Sequence, residues 1–555
     1  MKIIGANLGT TKSGMILNDG GLCYLNNDKI FAIAEERITR KKYSSGFEHS
    51  LATFLNKAKL KISDIDLFVF SSCCEKARTI KDDVIPEIPR EKIAFVPSHH
   101  LSHAYSTYFS SNFNEAIIMV IDNEGNIIND FGKEKFYDNE LEHMTYYIGK
   151  DNSISFLERD EVSPDYIGIG DAYRYFTHYI GFPSYVYAGK TMGLAPYGNP
   201  NKYKDVKIFE FNESTGKIKC KIKNKYNSCN QAIIDFFKEN YNIDIIKPRT
   251  PIDEITQEYA DLAYLIQHEL EEVLIKKVNY LVKKTGIKKL CIAGGVGLNS
   301  VANGRILRET LINDIFVVPA AGDTGQCLGN AFYGYYEILK NQRRIPFQTP
   351  YIGFSYDDNE IINTLSKYNN IVFEKYENRH QLNKQVALEL MKGRIVSRFD
   401  GKSEFGPRAL GNRSILMDPT KKENKDILNN KVKFRESFRP FAPVVLEEYS
   451  NEYFDLNCPS PYMLLVAQVK QPEKVPAITH VDGSARIQTV SRKMNSNFYD
   501  LINEFYKITG VPVLLNTSFN INGEPIVETP KDALDCFLST NIDLLMIGEY
   551  LVKKR

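Results

Sequence analysis

Two stretches of this 555-residue chain use the same device, and together they restrict the folds open to it. Near the N-terminus the apolar run Ile3-Ile4-Gly5-Ala6 enters a polar loop, Asn7-Leu8-Gly9-Thr10-Thr11-Lys12-Ser13-Gly14. Met15-Ile16-Leu17 and residues 30–34 then read as returning strands. About 115 residues later a second apolar run, 116–121 (AIIMVI), enters Asp122-Asn123-Glu124-Gly125-Asn126. Each is a buried strand that delivers a polar, Gly-containing loop at its end. A strand–loop unit used twice predicts a duplicated lobe. Further strands are expected at 66–71, 93–96, 289–293 and 314–319, between helical stretches at 49–59, 166–182 and 253–285. The last repeats Ile255, Tyr259, Leu262, Ile266, Leu270, Val273 and Leu274 at spacings of three and four, and Gly286 stops it. This alternation is α/β, with parallel strands expected.

Chemistry-bearing residues lie at the ends of these strands. After strand 93–96, Pro97 breaks the run and Ser98 is placed to cap a helix that opens with His99, His100 and His103. Residues four apart share a helical face, so His99 and His103 are placed to address one ion; a cluster of satisfied surface histidines is the alternative. The loop 189–198 sets Lys190 between glycines, a way to meet an anion. Strand 289–293 leads through Gly294-Gly295-Val296-Gly297-Leu298-Asn299 into a helix, the layout of a nucleotide-phosphate cradle. The Gly/Thr/Ser loop at 9–14 offers donors to phosphate oxygens and resembles the first phosphate loop of the actin-like ATPases, an ordinary hairpin turn being the alternative.

A boundary falls near residues 339–351, which are charged, Pro-containing and without helical period. Beyond it, Arg408, Arg413, Lys433, Arg435, Arg439 and Arg486 sit in short loops shaped by Gly and Pro. Guanidinium forks match phosphate geometry, so a polyphosphate pocket is expected in preference to solvated or ion-paired arginines. Asn516 and Ser518 follow an apolar strand at 511–515.

Composition removes several classes of function. The formal charge is +1 and no basic tract stands out, which argues against a nucleic-acid polymer as partner. The nine cysteines lack metal-finger spacing and fit reduced thiols. No secretory leader precedes the first strand and no apolar run approaches membrane-spanning length, so a cytoplasmic protein that is a monomer or homodimer is expected.

Several ordered blocks then become specific: HHLSHAYSTYF at 99–109, AGGVGLNSVANGR at 293–305, EFGPRALGNRSI at 404–415, KFRESFRPFAPVVL at 433–446, THVDGSARIQTV at 479–490 and GVPVLLNTSFNINGEPIV at 510–527. Over essentially its whole length the chain resembles the ATP-dependent O-carbamoyltransferases of nodulation-protein and antibiotic-tailoring type. The resemblance implies an actin-like domain over 1–345, similar to the transferase that attaches threonylcarbamoyl to tRNA adenosine. It also implies a domain over 350–555 like the enzymes that make threonylcarbamoyl-adenylate. The second domain would form carbamoyl-adenylate from carbamoyl phosphate and ATP; the first would pass the carbamoyl group to a hydroxyl of a small-molecule acceptor.

Carried onto this sequence, the family's metal ligands fall on His99, His103, Asp122 and Asp323. Iron is the usual ion, and magnesium is the companion of ATP. Arg408, Lys433 and Arg439 would act on the carbamoyl phosphate and triphosphate, with Arg413, Arg486, Asn516 and Ser518 as nucleotide contacts there. Lys190, Gly294, Gly295 and Asn299 would line the first domain's nucleotide site. One departure stands out. The family's first loop carries His and Asp where this chain has Thr10 and Thr11, and that His is a candidate base for the acceptor; here either another residue takes the proton, or the acceptor needs less activation, or transfer is impaired. His100 and Glu124 are the substitutes the sequence offers. Rival readings are an actin-like ATPase that serves as a nucleotide-gated binding module, and adenylate formation without transfer.

Overall fold

The computed structural model describes residues 1–11, 16–17, 19–27, 29–76, 87–129, 139–182, 185–225 and 228–555. Lys12, Ser13, Gly14 and Met15 of the first loop lie outside the described residues. The chain forms two compact units. One comprises Met1–Ile30 and Ser45–Phe347; the other comprises Phe31–Ser44 and Gln348–Arg555.

The first unit is built on two five-stranded sheets, the edge strand Lys29–Ala34 of one of them passing at Phe31 into the segment that belongs to the second unit. Strands β1 (Lys2–Asn7), β2 (Gly21–Asn26), β3 (Lys29–Ala34), β4 (Leu67–Ser71) and β5 (Ile93–Phe95) stand in the order β3-β2-β1-β4-β5. Strands β6 (Glu115–Ile121), β7 (Met144–Lys150), β8 (Ser153–Asp160), β9 (Lys289–Ala293) and β10 (Asp314–Val317) stand in the order β8-β7-β6-β9-β10. Counted along the chain, both sheets read third, second, first, fourth, fifth. Both open with an antiparallel pair, β1 with β2 and β6 with β7, and then add parallel neighbours, β4 and β5 or β9 and β10. This is the duplicated lobe that the repeated strand–loop unit predicted. The sheets are mixed rather than parallel throughout. The returning strand among the described residues is Gly21–Asn26; of the expected 15–17, Ile16 makes an isolated bridge to Thr10 and Met15 lies outside the described residues.

Four helices of this unit bear on the site: α1 (His99–Ser110), α2 (Ala188–Leu194), α3 (Gln257–Thr285) and α4 (Gln326–Tyr333). Helices α1 and α4 follow the fifth strands of their respective sheets, so they are counterparts in the duplication. They pack directly on each other. The Ser102 hydroxyl donates to Asn330 Oδ1 at 2.6 Å, and a Cβ on Gly329 would stand 1.9 Å from the Ser102 carbonyl oxygen, so only glycine permits this approach. Helix α2 replaces the loop expected at 189–198: the glycines there are accommodated within and just after a short helix. Among the described residues, no helix is long and apolar enough to cross a membrane.

The second unit carries one nine-stranded sheet. Its strands are β11 (Ile371–Lys375), β12 (Val396–Phe399), β13 (Arg413–Met417), β14 (Ala442–Leu446), β15 (Leu465–Gln468), β16 (Ser484–Val490), β17 (Val513–Ser518), β18 (Leu544–Ile547) and β19 (Tyr550–Lys554). Their order is β11-β19-β18-β12-β13-β17-β14-β16-β15. Helices α5 (Arg379–Met391) and α6 (Ser496–Thr509) cover one face, packing Leu382, Val386 and Leu390 with Phe498, Leu501 and Phe505 over Leu416 and Leu514 of the central strands. Burying one such side chain is worth about 1.5–3 kcal/mol. Strand β17 runs further than expected, so Asn516 and Ser518 are part of it rather than of a following loop, and Arg413 opens β13.

Candidate functional site: a metal centre and an anion pocket

Strand ends and helix starts of the first unit converge on four side chains. Ser98 caps α1 as its sequence suggests, its Oγ accepting from the Leu101 N–H at 3.1 Å, so the helix begins at His99. His99 and His103, one turn apart, face Asp122 from the end of β6 and Asp323 from the turn before α4. His103 Nε2 lies 3.2 Å from Asp122 Oδ2 and 3.3 Å from Asp323 Oδ1; His99 Nε2 lies 3.8 and 3.5 Å from the same two atoms. One ligand atom from each residue falls within 4.8 Å of all the others.

Both imidazoles are buried, and burial alone pushes them toward neutrality. The Asp323 and Asp122 carboxylates outweigh it and hold both above the ordinary histidine range. The reverse holds for the acids: burial pushes Asp122 up, and His103 and His99 pull it well below the carboxylate range. A buried carboxylate, Asp122, and a half-buried one, Asp323, thus demand positive charge here, and protons on the histidines meet that demand. A divalent cation would meet it equally. Asp122 Oδ2 is buried and accepts no hydrogen bond, as an unused ligand atom would. The donor set, two imidazole nitrogens with two carboxylates, suits a borderline divalent metal.

Three further residues, not singled out from the sequence, shape this centre. Asn7, at the end of β1 and thus the counterpart of Asp122, donates from Nδ2 to the Asp323 carbonyl at 2.6 Å. Gln326 brings its amide nitrogen to 2.9 Å from the His99 ring and 3.0 Å from His103 Nε2, and the Ser71 hydroxyl steadies it at 2.6 Å. Glu142 braces the start of α1 through the Ser98 hydroxyl (2.6 Å) and the His100 N–H (3.3 Å), with Arg159 as its counter-charge at 3.1 Å.

His100 does not belong to the centre. It is fully buried, its Nδ1 pairs with the Thr145 hydroxyl at 2.8 Å, and burial pushes it down to about 3. An imidazole that resists protonation so strongly is a poor proton acceptor, which corrects its expected catalytic role. Glu124 is half-buried on the same loop as Asp122, with the Cys74 thiol 3.7 Å from its Oε2.

The Gly294-Gly295 turn reaches the centre. Gly294 has φ 88°, and a Cβ there would stand 2.1 Å from the Ile121 carbonyl oxygen; the ideal Cβ position of Gly295 is 3.1 Å from Asp122 Oδ1. Asn299 is buried, capping the helix Ser300–Glu309 through the Ala302 N–H and pairing with Gln267, so both ends of its amide are engaged. Lys190, on α2, lies over the Tyr187 ring at 4.5 Å.

In the second unit, five of the six expected cations form one cluster. Burial first and Arg439 second push Arg408 down to about 10 and Arg435 to about 9. Arg486 and Lys433 are pushed down more strongly, again by burial first; Arg408, Arg435 and Arg439 add to it for Arg486, and Arg435 and Arg439 for Lys433. These cations repel one another in a partly desolvated space. The Nε atoms of Arg408, Arg435 and Arg486 are buried and donate to nothing. Such an arrangement is stabilised by an anion with several negative oxygens. Lys433 is anchored on the end of β17 through Asn520 O (2.9 Å), Asn520 Oδ1 (3.0 Å) and Ser518. Asn516 is buried and donates to Gln488 Oε1 at 2.8 Å, with its Oδ1 accepting nothing.

Arg413 is the exception. Its guanidinium donates to the Asp400 and Asn412 carbonyls at 2.7 and 3.1 Å and stacks on Phe399 at 3.7 Å, fully buried. It braces the loop and does not face the pocket, a correction to its expected nucleotide contact. Beside it, burial pushes the Glu528 carboxyl up to about 7, and Arg413 and Arg37 offset part of that. A carboxyl that titrates higher folded than unfolded stabilises the fold below its unfolded pKa and loses that contribution as pH rises through its folded one. The Glu528→Gln variant should therefore match the parent at pH 4.5 and exceed it by about 3 kcal/mol above pH 7. Urea melts across that range check it; a constant difference would mean the carboxyl is ionised throughout.

Comparison with known proteins identifies the family. The family models described as carbamoyltransferase N-terminus and carbamoyltransferase C-terminus match residues 76–332 and 387–554. The chain is 34% identical to nodulation protein NolNO of Sinorhizobium fredii over 97% of its own length and 79% of that protein, and 36% identical to nodulation protein NolO of Bradyrhizobium diazoefficiens over 82% and 79%. Among solved structures, full-length HypF in its phosphate- and nucleotide-bound form aligns over 61% of this chain and 56% of that one, at 12% identity and a TM-score of 0.35. With both family models matched in order and a relative above 30% identity over nearly its whole length, the chain belongs to the carbamoyltransferase family.

Proposed function

We propose that this carbamoyltransferase works in two steps. Its second unit hydrolyses carbamoyl phosphate to carbamate and phosphate and joins the carbamate to the α-phosphate of ATP with loss of pyrophosphate, giving carbamoyl-adenylate. Its first unit transfers the carbamoyl group to a hydroxyl of a small-molecule acceptor with loss of AMP. The observation that carries this reading is the self-repelling cluster of Arg408, Lys433, Arg435, Arg439 and Arg486, which is suited to a polyphosphate and excessive for a single carboxylate.

Carbamate is a poor acyl donor, and adenylation gives it a good leaving group. The five cations would gather the anionic reactants and offset the charge that builds on the departing pyrophosphate. In the first unit His99, His103, Asp122 and Asp323 would hold a divalent metal, iron by family precedent, which supplies positive charge to steady a phosphate leaving group. The Gly294-Gly295 turn leaves backbone room beside Asp122 for that phosphate. Thr10 and Thr11 offer no base near neutral pH and His100 is withdrawn into the interior, so of the side chains considered Glu124 is left to take the acceptor's proton.

Following pyrophosphate tests the reading. Release that requires both ATP and carbamoyl phosphate is the expected result; ADP formation independent of carbamoyl phosphate would overturn it in favour of an actin-like ATPase. Glu124→Gln should keep pyrophosphate release and lower transfer to an acceptor hydroxyl.

A further inference from the structure

Residues 31–44 belong to the second unit although they lie more than 300 positions before the rest of it, and neither matched family model extends over them. The helix Glu35–Thr39 fastens the segment. Arg37 is 3% exposed, and its Nη2 donates to the Glu404 and Gly406 carbonyls, each at 3.4 Å. Those carbonyls flank Phe405 in the loop that presents Arg408. On the loop's other side Glu404 Oε1 accepts from the N–H groups of Leu410, Asn412 and Arg413 at 2.8, 2.8 and 3.0 Å. Arg40 donates to the Ile526 and Pro525 carbonyls at 2.7 and 2.9 Å.

After these anchors the chain turns sharply. Arg40 and Tyr43 both adopt left-handed backbone, with φ 59° and 61°, a conformation that costs a non-glycine residue about 1 kcal/mol or more and that persists only where neighbours enforce it. The Tyr43 N–H donates to Glu36 Oε2 at 2.9 Å, which closes the turn. The turn sets Lys42 and Tyr43 directly after the anchors on the Arg408 loop and on Pro525-Ile526, with the Lys42 ammonium over the Tyr43 ring at 5.4 Å; the field of Lys42 reaches Lys433 and that of Tyr43 reaches Arg408. Lys42 itself is exposed, so its ammonium is within reach of a ligand in solution.

We propose that the segment Phe31–Ser44 completes the anion pocket of the second unit: Arg37 positions the loop that carries Arg408, and Lys42 supplies a further cation to a bound polyphosphate. The inference rests on the polyphosphate reading of that pocket. Strained backbone, an exposed lysine whose field reaches the buried Lys433, and a buried arginine gripping the pocket's own loop are three consequences of one construction.

Calorimetric titration of the full chain with inorganic pyrophosphate tests it without requiring turnover. The unsubstituted protein should bind. Lys42→Ala should weaken binding about fivefold or more while Lys42→Arg holds within twofold. Arg37→Lys, which keeps the charge but loses the fork across two carbonyls, should raise the KM for carbamoyl phosphate several-fold with a smaller change in kcat. Equal affinity in the unsubstituted and Lys42→Ala proteins overturns the role of Lys42. An Arg37→Lys variant that melts lower yet keeps its KM overturns the positioning role. Absence of binding by the unsubstituted protein overturns the polyphosphate reading itself, which is a different failure. Lys42 is exposed, so its variants fold even where Arg37→Lys does not.

Discussion

Arg408→Met should make the ligand-free protein more stable and the enzyme inactive in pyrophosphate release, with a loss of at least about 100-fold. The two effects have one origin. In the ligand-free pocket Arg408 is held in a space where burial and Arg439 both disfavour its charge, pushing it down to about 10. Removing the charge relieves repulsion that also bears on Arg486. Because Arg408 is half-buried, solvent screens part of that cost, and a gain of about 1–2 kcal/mol in urea melts is the expected size. ATP should raise the melting point of the parent more than that of the variant, since the variant lacks one of the five cations that meet the phosphates. A variant that is both less stable and as responsive to ATP as the parent would place Arg408 in the scaffold, beside Arg413. Stability given up to hold like charges together is a signature of a binding site.

Arg408 and Arg413 show how far sequence reasoning reached. Both lie in one Gly/Pro-shaped stretch and both looked like pocket cations. The difference arises because Arg413 opens β13, where the ladder with β12 turns its side chain onto Phe399 and backbone carbonyls. Period and spacing cannot register that. His99 and His103 were legible because a capped helix fixes the relation between residues four apart. Asp122 and Asp323 stand on separate strand ends of one sheet, and only family resemblance joined them to the histidines. Asn7, Glu142 and Gln326 act through neighbours distant in sequence, so no local pattern marks them. The duplicated lobe was visible in its repeated strand–loop device. The passage of residues 31–44 into the second unit was not, because the apolar run FAIA followed by the charged EER reads as any strand leading to a helix.

The metal centre makes the opposite prediction to Arg408. His103→Ala and Asp122→Asn should each lose bound metal, measured as metal per chain after desalting. Both should retain pyrophosphate release and lose carbamoyl transfer by about 100-fold or more. The separation follows from where the groups lie: His103 and Asp122 belong to the first unit, and every cation of the polyphosphate pocket belongs to the second. Chelation of the parent should reproduce the variants' behaviour and lower its melting point, whereas a variant already lacking metal should not respond. Asp122→Asn is the sharper of the two changes, because it keeps the side chain's shape while removing the charge on which both imidazoles depend. Without that charge, burial is opposed by Asp323 alone and the histidines lose much of their reason to carry protons. If either variant stops pyrophosphate release as completely as Arg408→Met does, the two steps share one site and the division of labour between the units is wrong.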